Sequence, residues 1–257
     1  MTRLNLLSKI KTTFGIITTF RDWPKFMLYY FEILKPRGKN TETTFTFWNG
    51  LKWHVDASKR GFAVISDVWI KHPYWLLFKI KNPKIIFDFG AHIGSFSIMA
   101  AKKYPEAKIY AFEASKENYV MLKKNLRENK IKNVHAYNVG VGAKNCILDF
   151  FINEKNTVMN SFVRKGKGGS YKVKCKNVSK IFDELRIKKC DFMKIDVEGF
   201  EYRVLKGAER DGSLEKINAV ATEVAVKMGY FKKTEELLRR NGFKVNTVVD
   251  IISAVRK

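Results

Sequence analysis

The sequence predicts an α/β fold: a mostly parallel sheet layered with helices and finished by an antiparallel C-terminal hairpin. Three observations carry this reading. From Pro83 onward, short apolar runs alternate with helical patterns, as in chained βαβ units. The first run, Ile85-Ile86-Phe87-Asp88-Phe89, enters a turn bracketed by Gly90 and Gly94, and Glu113 ends the next run nineteen residues after Gly94. Strand, glycine turn, helix and strand-terminal acid together suit a nucleoside-bearing ligand. Glycine lets the backbone approach, the helix start offers free amides, and the acid accepts ribose hydroxyls. Finally, 257 residues with 46% hydrophobic content can bury one α/β domain plus an extension, divided here into 1–82 and 83–257.

In the extension, Leu4, Leu7, Ile10, Phe14, Ile17 and Phe20 recur at three- and four-residue intervals, which places them on one helix face. Arg3, Lys9, Lys11 and Arg21 lie largely elsewhere. Such a basic amphipathic helix either docks on its own domain or lies on an anionic membrane surface, and residues 1–34 carry both readings. Trp23, Phe26, Tyr29, Tyr30 and Phe31 extend the same choice. Lys35 to Asn40, with Pro36 and Gly38, ends the helical pattern. Thr43 to Trp48 and Leu51 to Val55 are β-rich runs around Asn49-Gly50, a hairpin signal because both turn residues tolerate positive φ. Ala63 to Lys71 suits a helix, and Asn82-Pro83 marks the boundary.

In the main domain, strands Ile85 to Phe89, Lys108 to Phe112 and Asn133 to Asn138 interleave with helices Ser95 to Lys103 and Lys116 to Asn129. Ile147 to Ile152 and Tyr171 to Lys176 then read as strands of an insertion around the loop Gly166-Lys167-Gly168-Gly169. Helix Val178 to Leu185 and strand Phe192 to Ile195 resume the pattern. Helix Glu201 to Glu209, strand Ile217 to Val224, helix Lys233 to Asn241 and strands Phe243 to Val249 and Ile251 to Val255 complete it.

Cys146, Cys175 and Cys190 are odd in number and lack the close pairs of zinc sites, so neither a disulfide framework nor a structural metal is expected. No apolar stretch reaches the roughly 20 residues of a membrane-spanning helix, and no signal-peptide pattern opens the chain. A cytoplasmic protein, peripheral on the inner membrane face if the first helix binds lipid, is the expectation. Lys and Arg number 49 against 25 Asp and Glu, a net +24 that favours anionic partners without choosing among them. Residues 1–40 carry eight basic and two acidic side chains, and residues 153–190 carry eleven and three.

Asp88 closes the first strand, where its carboxylate can bond turn amides or a cofactor. A dinucleotide motif would have glycine at 92, where His92 stands. An Asp-x-Gly turn with a ribose-binding acid fits S-adenosyl-L-methionine instead. Structural roles stand beside these: Asp88 as a helix cap, Glu113 as a strand end, and the acids of 196–201 as partners of a helix dipole.

Three blocks resemble the FkbM family of class I S-adenosylmethionine-dependent methyltransferases. They are Phe87-Asp88-Phe89-Gly90-Ala91-His92-Ile93-Gly94, then Ile109-Tyr110-Ala111-Phe112-Glu113, and Met193-Lys194-Ile195-Asp196-Val197-Glu198-Gly199-Phe200-Glu201 with Val204-Leu205-Lys206-Gly207-Ala208. The similarity covers about residues 45–255 and implies a Rossmann-like fold with a mostly parallel seven-stranded sheet. It departs at His92, where the family more usually has asparagine. By that resemblance Asp88, Gly90, His92 and Gly94 form the methionine-side turn and Glu113 holds the ribose. Asn138, or the backbone at Val139 and Gly140, lies by the adenine. Asp196, Glu198 and Glu201 form a catalytic edge for the acceptor, with Asp196 and Glu198 orienting or deprotonating a hydroxyl.

The expected activity is O-methylation of a sugar, glycan or small hydroxylated metabolite. An RNA methyltransferase is the alternative, motivated by the net charge and by Arg164, Lys165 and Lys167 between Phe162 and Tyr171. Against it, no RNA-binding module or Pro-Pro base-handling motif occurs, and His72-Pro73-Tyr74-Trp75 lacks the second proline of the Pro-Pro-Tyr type. A non-catalytic, membrane-associated scaffold is the third reading, and the acids Asp88, Glu113 and Asp196 oppose it.

Overall fold

The computed structural model describes residues 3–34, 36, 41–71, 73–153, 156–163, 168–224 and 229–257. His72, the basic residues Arg164, Lys165 and Lys167, and all but Pro36 of the Lys35 to Asn40 break lie outside them, as do the side chains of Leu4 and Leu7.

The chain opens with helices α1 (Arg3–Thr19) and α2 (Trp23–Tyr30), followed by a hairpin of β1 (Glu42–Thr46) and β2 (Lys52–Asp56). The hairpin turns at Gly50, whose φ is +86°. The expected helix forms, and of its expected stripe Phe20 docks on the domain while Ile10, Phe14 and Ile17 do not. Ile16 and Phe20 are fully buried, whereas Ile10, Phe14 and Ile17 face solvent. Two apolar stripes run along this helix, and aromatic packing selects one. Phe20 stacks on Phe26 at 3.9 Å between centroids and meets Phe47 edge-on at 4.7 Å. Helix α3 (Ala63–Ser66) continues into a π-helical turn at Asp67–Lys71, and Gly15 of α1 sits so close to it that a Cβ would lie 2.3 Å from Ile70 Cγ2.

The main sheet uses β3 (Ile85–Phe89), β4 (Lys108–Phe112), β5 (Val134–Tyr137), β9 (Phe192–Ile195), β10 (Ala219–Glu223), β11 (Phe243–Val248) and β12 (Ile251–Arg256). Its order is β11-β12-β10-β9-β3-β4-β5; β12 runs antiparallel to both neighbours and the other neighbours pair parallel. Alternation along β3 divides the core. Ile86 faces the layer holding the N-terminal aromatics, α4 (Ser95–Lys103) and α5 (Lys116–Glu128), while Phe87 and Phe89 face the opposite layer. That second layer comprises α6 (Val178–Leu185), α7 (Glu201–Arg210) and α8 (Phe231–Arg240). The extension therefore shares one continuous apolar cluster with the sheet.

Between β5 and α6 the insertion forms its own three-stranded sheet, β6 (Gly140–Val141), β7 (Cys146–Phe151) and β8 (Ser170–Lys176), in the order β6-β8-β7. It stands over the carboxyl ends of the central strands. Among the described residues, no helix is long and apolar enough to cross a membrane and no acid, histidine or cysteine cluster could hold a metal ion.

Candidate active site

At the carboxyl ends of β3, β4, β5 and β9 the sheet opens into a cavity, the place where open α/β sheets bind their ligands. Its floor is the glycine turn. Gly90 has φ +78°, and a Cβ on it would lie 1.7 Å from the Asp196 carbonyl oxygen. No residue but glycine lets β3 and β9 end this close together. The Gly90 and Ala91 amides both donate to the Phe112 carbonyl at 3.0 Å, so the turn is tied to β4. Gly94, at φ +93°, opens α4 where a Cβ would meet Leu122 Cδ1 at 2.5 Å.

Glu113 joins this turn to the start of α5. Its Oε2 accepts from the His92 amide at 2.7 Å and its Oε1 from the Ser115 amide at 2.8 Å. A carboxylate offers about four lone-pair directions, so capacity for a ligand remains beyond these two amides and the Asn118 side chain. Burial pushes this carboxyl up to about 7, against the pull of those two amides.

Beneath the turn lies a buried charge cluster. Asp88 and Lys194 are register partners on β3 and β9, and their side chains meet with Nζ 3.1 Å from Oδ1. Lys194 also donates to the Gly90 carbonyl at 2.7 Å and lies 3.5 Å from Asp196 Oδ2. Burial alone would lower the ammonium pKa, but Asp88 and Asp196 outweigh it and raise it. Asp88 takes its other bond from Ser97 Oγ at 2.6 Å. Its expected bond to turn amides is not made: it is fully buried, outside the lining, and reaches the turn through Lys194.

Asp196 lines the cavity and accepts a hydrogen bond from the Tyr74 hydroxyl at 3.1 Å. Burial first, and then the Asp196 charge, hold the Tyr74 hydroxyl protonated. Glu198 lines the same edge at φ +55°. Glu201 is a correction. It is buried outside the lining, where Oε1 accepts from the Val197 and Gly199 amides at 3.0 and 2.9 Å, stapling the loop between β9 and α7. Burial raises that carboxyl to about 7. Asn138 is a second correction. Exposed, it donates to the Glu113 carbonyl at 2.8 Å, and the wall there is Val139, Gly140 and Val141.

The insertion supplies the roof. Phe150 and Phe162 line it, with Thr157 Oγ1 placed 3.1 Å from His92 Nε2. Burial, reinforced by Lys194, pushes His92 down to about 3, so the ring is neutral and can replace an amide as hydrogen-bond donor or acceptor. Ser161 Oγ donates to the Glu198 carbonyl at 2.8 Å, which ties the roof to the acidic edge. Asn160 is buried in the lining; its Oδ1 accepts from the Asn153 amide, while Nδ2 has no partner among the described residues.

Lys194, Tyr74 and Asn160 were not singled out by the sequence. A lysine within the apolar run Phe192-Met193-Lys194-Ile195 was the available signal for the first, since a buried strand carries a charge only against a partner. Asn160 reaches the cavity, and Tyr74 reaches Asp196, through tertiary packing alone. Glu223, on β10, keeps solvent contact, yet desolvation and the charges of Asp196, Asp250 and Asp67 push it up to about 8. His54 bonds Thr44 and His135 stacks on Tyr110, both away from the cavity.

This lining fits S-adenosyl-L-methionine. Glu113 presents a carboxylate with remaining capacity for a hydroxyl, Val139, Val141 and Phe162 offer apolar faces to an adenine, and two buried nitrogens in the lining, His92 Nδ1 and Asn160 Nδ2, lack partners among the described residues.

Comparison with known proteins agrees. The family model described as "Methyltransferase FkbM domain" matches residues 88–245. "Methyltransferase sdnD" of Sordaria araneosa is 32% identical over 214 residues, covering 71% of this chain and 82% of that protein. "Methyltransferase 1" of Beauveria bassiana (strain ARSEF 2860) is 27% identical over 184 residues, 64% of this chain and 74% of that one. "31-O-demethyl-FK506 methyltransferase FkbM" of Streptomyces tacrolimicus is 26% identical over 226 residues, 75% and 85% respectively.

Proposed function

Since the chain belongs to the FkbM family of methyltransferases and is an enzyme that uses S-adenosyl-L-methionine, we propose that it methylates a hydroxyl of a neutral sugar, glycan or small hydroxylated metabolite. The observation that carries this reading is the charge of the acceptor edge. Asp196 and Glu198 line the cavity beside the glycine turn, and among the described residues the cation that lines it with them, Lys194, is buried and engaged by Asp88 and Gly90. Such an edge favours hydroxyl donors and repels phosphodiesters, in contrast to the basic surface around it. The name of the Streptomyces tacrolimicus relative, which specifies an O-demethyl acceptor, supports the same reading.

The bound cofactor supplies an electrophilic methyl group on a sulfonium. The protein's work is then alignment and proton management. Glu113 and the 139–141 wall hold the nucleoside end, and the Gly90 turn bears on the methionine end. Asp196, steadied by Tyr74 and Lys194, accepts a hydrogen bond from the acceptor hydroxyl and takes its proton as the oxygen forms its new bond to carbon. Val64, Val68 and the insertion roof exclude water from the reacting atoms.

The test is transfer of labelled methyl groups to separated fractions of cell extract, comparing the parent with Asp196→Asn and Glu198→Gln at matched cofactor binding. Label in a polar glycan or metabolite fraction, lost in the variants, is expected. Label confined to ribonuclease-sensitive material, or variants as active as the parent, would overturn the reading.

A further inference from the structure

The extension leaves an apolar stripe uncovered. Ile10, Phe14 and Ile17 lie at i, i+4 and i+7 on the outer face of α1, with exposures of 54, 67 and 37%. Trp48, at the hairpin tip and 60% exposed, continues the stripe, because its amide and its indole Nε1 donate to the Thr19 and Ile17 carbonyls at 3.1 and 3.0 Å. The opposite stripe, Ile16 and Phe20, already holds the helix to the aromatic core, so stability of the fold does not require the outer one. Lys9, Lys11 and Arg21 stand on the same segment, all exposed, and residues 1–40 carry net +6.

We propose that this face, Ile10, Phe14, Ile17 and Trp48, with the exposed cations Lys9, Lys11 and Arg21 of the same segment, docks on a lipid bilayer carrying anionic headgroups. Charge complementarity selects that occupant. Pairing with a second copy of the chain would bring two like-charged segments together within a protein of net +24, whereas an anionic leaflet neutralises the segment as it receives the apolar side chains. The side-chain types match the depth: branched aliphatic and phenylalanine groups for the acyl boundary, and an indole held at its edge for the headgroup level. The face also lies one layer from the active site. The segment that packs against Gly15 through Ile70 presents Val64 and Val68 to the cavity.

The experiment is co-sedimentation of the full chain with vesicles of phosphatidylcholine alone or mixed equally with phosphatidylglycerol. The parent is expected to bind the mixed vesicles and to be released by salt. Phe14→Ser with Trp48→Ser should lower its partition about tenfold or more, with S-adenosyl-L-methionine binding by calorimetry unchanged as the measure of an intact fold. Should that variant misfold, quenching by brominated lipid, read as the difference between the parent and Trp48→Phe, decides instead, with quenching of Trp48 expected. Equal partition of parent and folded variant, equal binding to neutral vesicles, absence of Trp48 quenching, or a parent self-association that the same substitutions dissolve would each overturn the proposal.

Discussion

Replacing Lys194 with methionine should cost this protein a large share of its stability. Asp88 would remain fully buried with Ser97 Oγ as its surviving side-chain partner, and the Gly90 carbonyl would lose its ammonium donor. Removing one member of a buried ion pair costs about 3–5 kcal/mol, because the other charge is left uncompensated. Against a total of roughly 5–15 kcal/mol for a domain, that is a large share. Since the pair is the cause, Asp88→Asn in the Lys194→Met background should restore at least half of the loss, and a double-mutant cycle from urea unfolding measures it. The sign with pH follows from the raised pKa of Lys194. Its contribution is fully present below the ordinary value of 10.5 and is lost as pH rises through the higher folded value, so the whole deficit should appear near neutral pH. A Lys194→Met protein within about 1 kcal/mol of the parent, or losses in the cycle that simply add, would refute the charge-cluster account.

Gly90→Ala should lower stability by about 2–5 kcal/mol, from a left-handed backbone and a Cβ driven into the Asp196 carbonyl, and should weaken cofactor binding; unfolding and calorimetric curves matching the parent would contradict it. For Glu113, ionisation is opposed by burial, so its contribution to the unliganded fold is present below the ordinary value of 4.5 and is lost as pH rises through about 7. Cofactor binding should follow the opposite course, tightening as pH rises through about 7, and Glu113→Gln should flatten that dependence; a profile identical in parent and variant would exclude the role. Asn160→Asp keeps an oxygen for the Asn153 amide and removes the unpartnered nitrogen. It should weaken ligand binding about tenfold or more, the worth of one lost hydrogen bond, with a lowered melting temperature because a buried carboxylate is introduced, and a variant that binds as the parent does would remove Asn160 from the site.

The sheet was readable because its strands are short apolar runs bounded by Gly, Pro or charged residues; β3, β4 and β9 have the limits expected of them. What escaped was the choice between equivalent local patterns. The spacing of α1 is satisfied equally by Ile10, Phe14 and Ile17 or by Ile16 and Phe20, and contact with Phe26 and Phe47 from later segments decides between them. An acid in the first turn of a helix can face a ligand or fold back on its own loop, and Glu201 folds back because the Val197 and Gly199 amides are within reach. The Asp88 and Lys194 pair is separated by more than a hundred residues, and only the parallel register of β3 with β9 shows that the two are neighbours.

The roof over the cavity is fastened at two places of different purpose: Thr157 to His92 on the cofactor turn, and Ser161 to the Glu198 carbonyl on the acceptor edge. One short segment thus bears on both half-sites. A ligand that shifts it from either side changes the free energy of occupying the other, and by thermodynamic linkage the factor is the same in both directions. Cofactor and acceptor should accordingly bind with measurable cooperativity, even though neither needs to touch the other's residues.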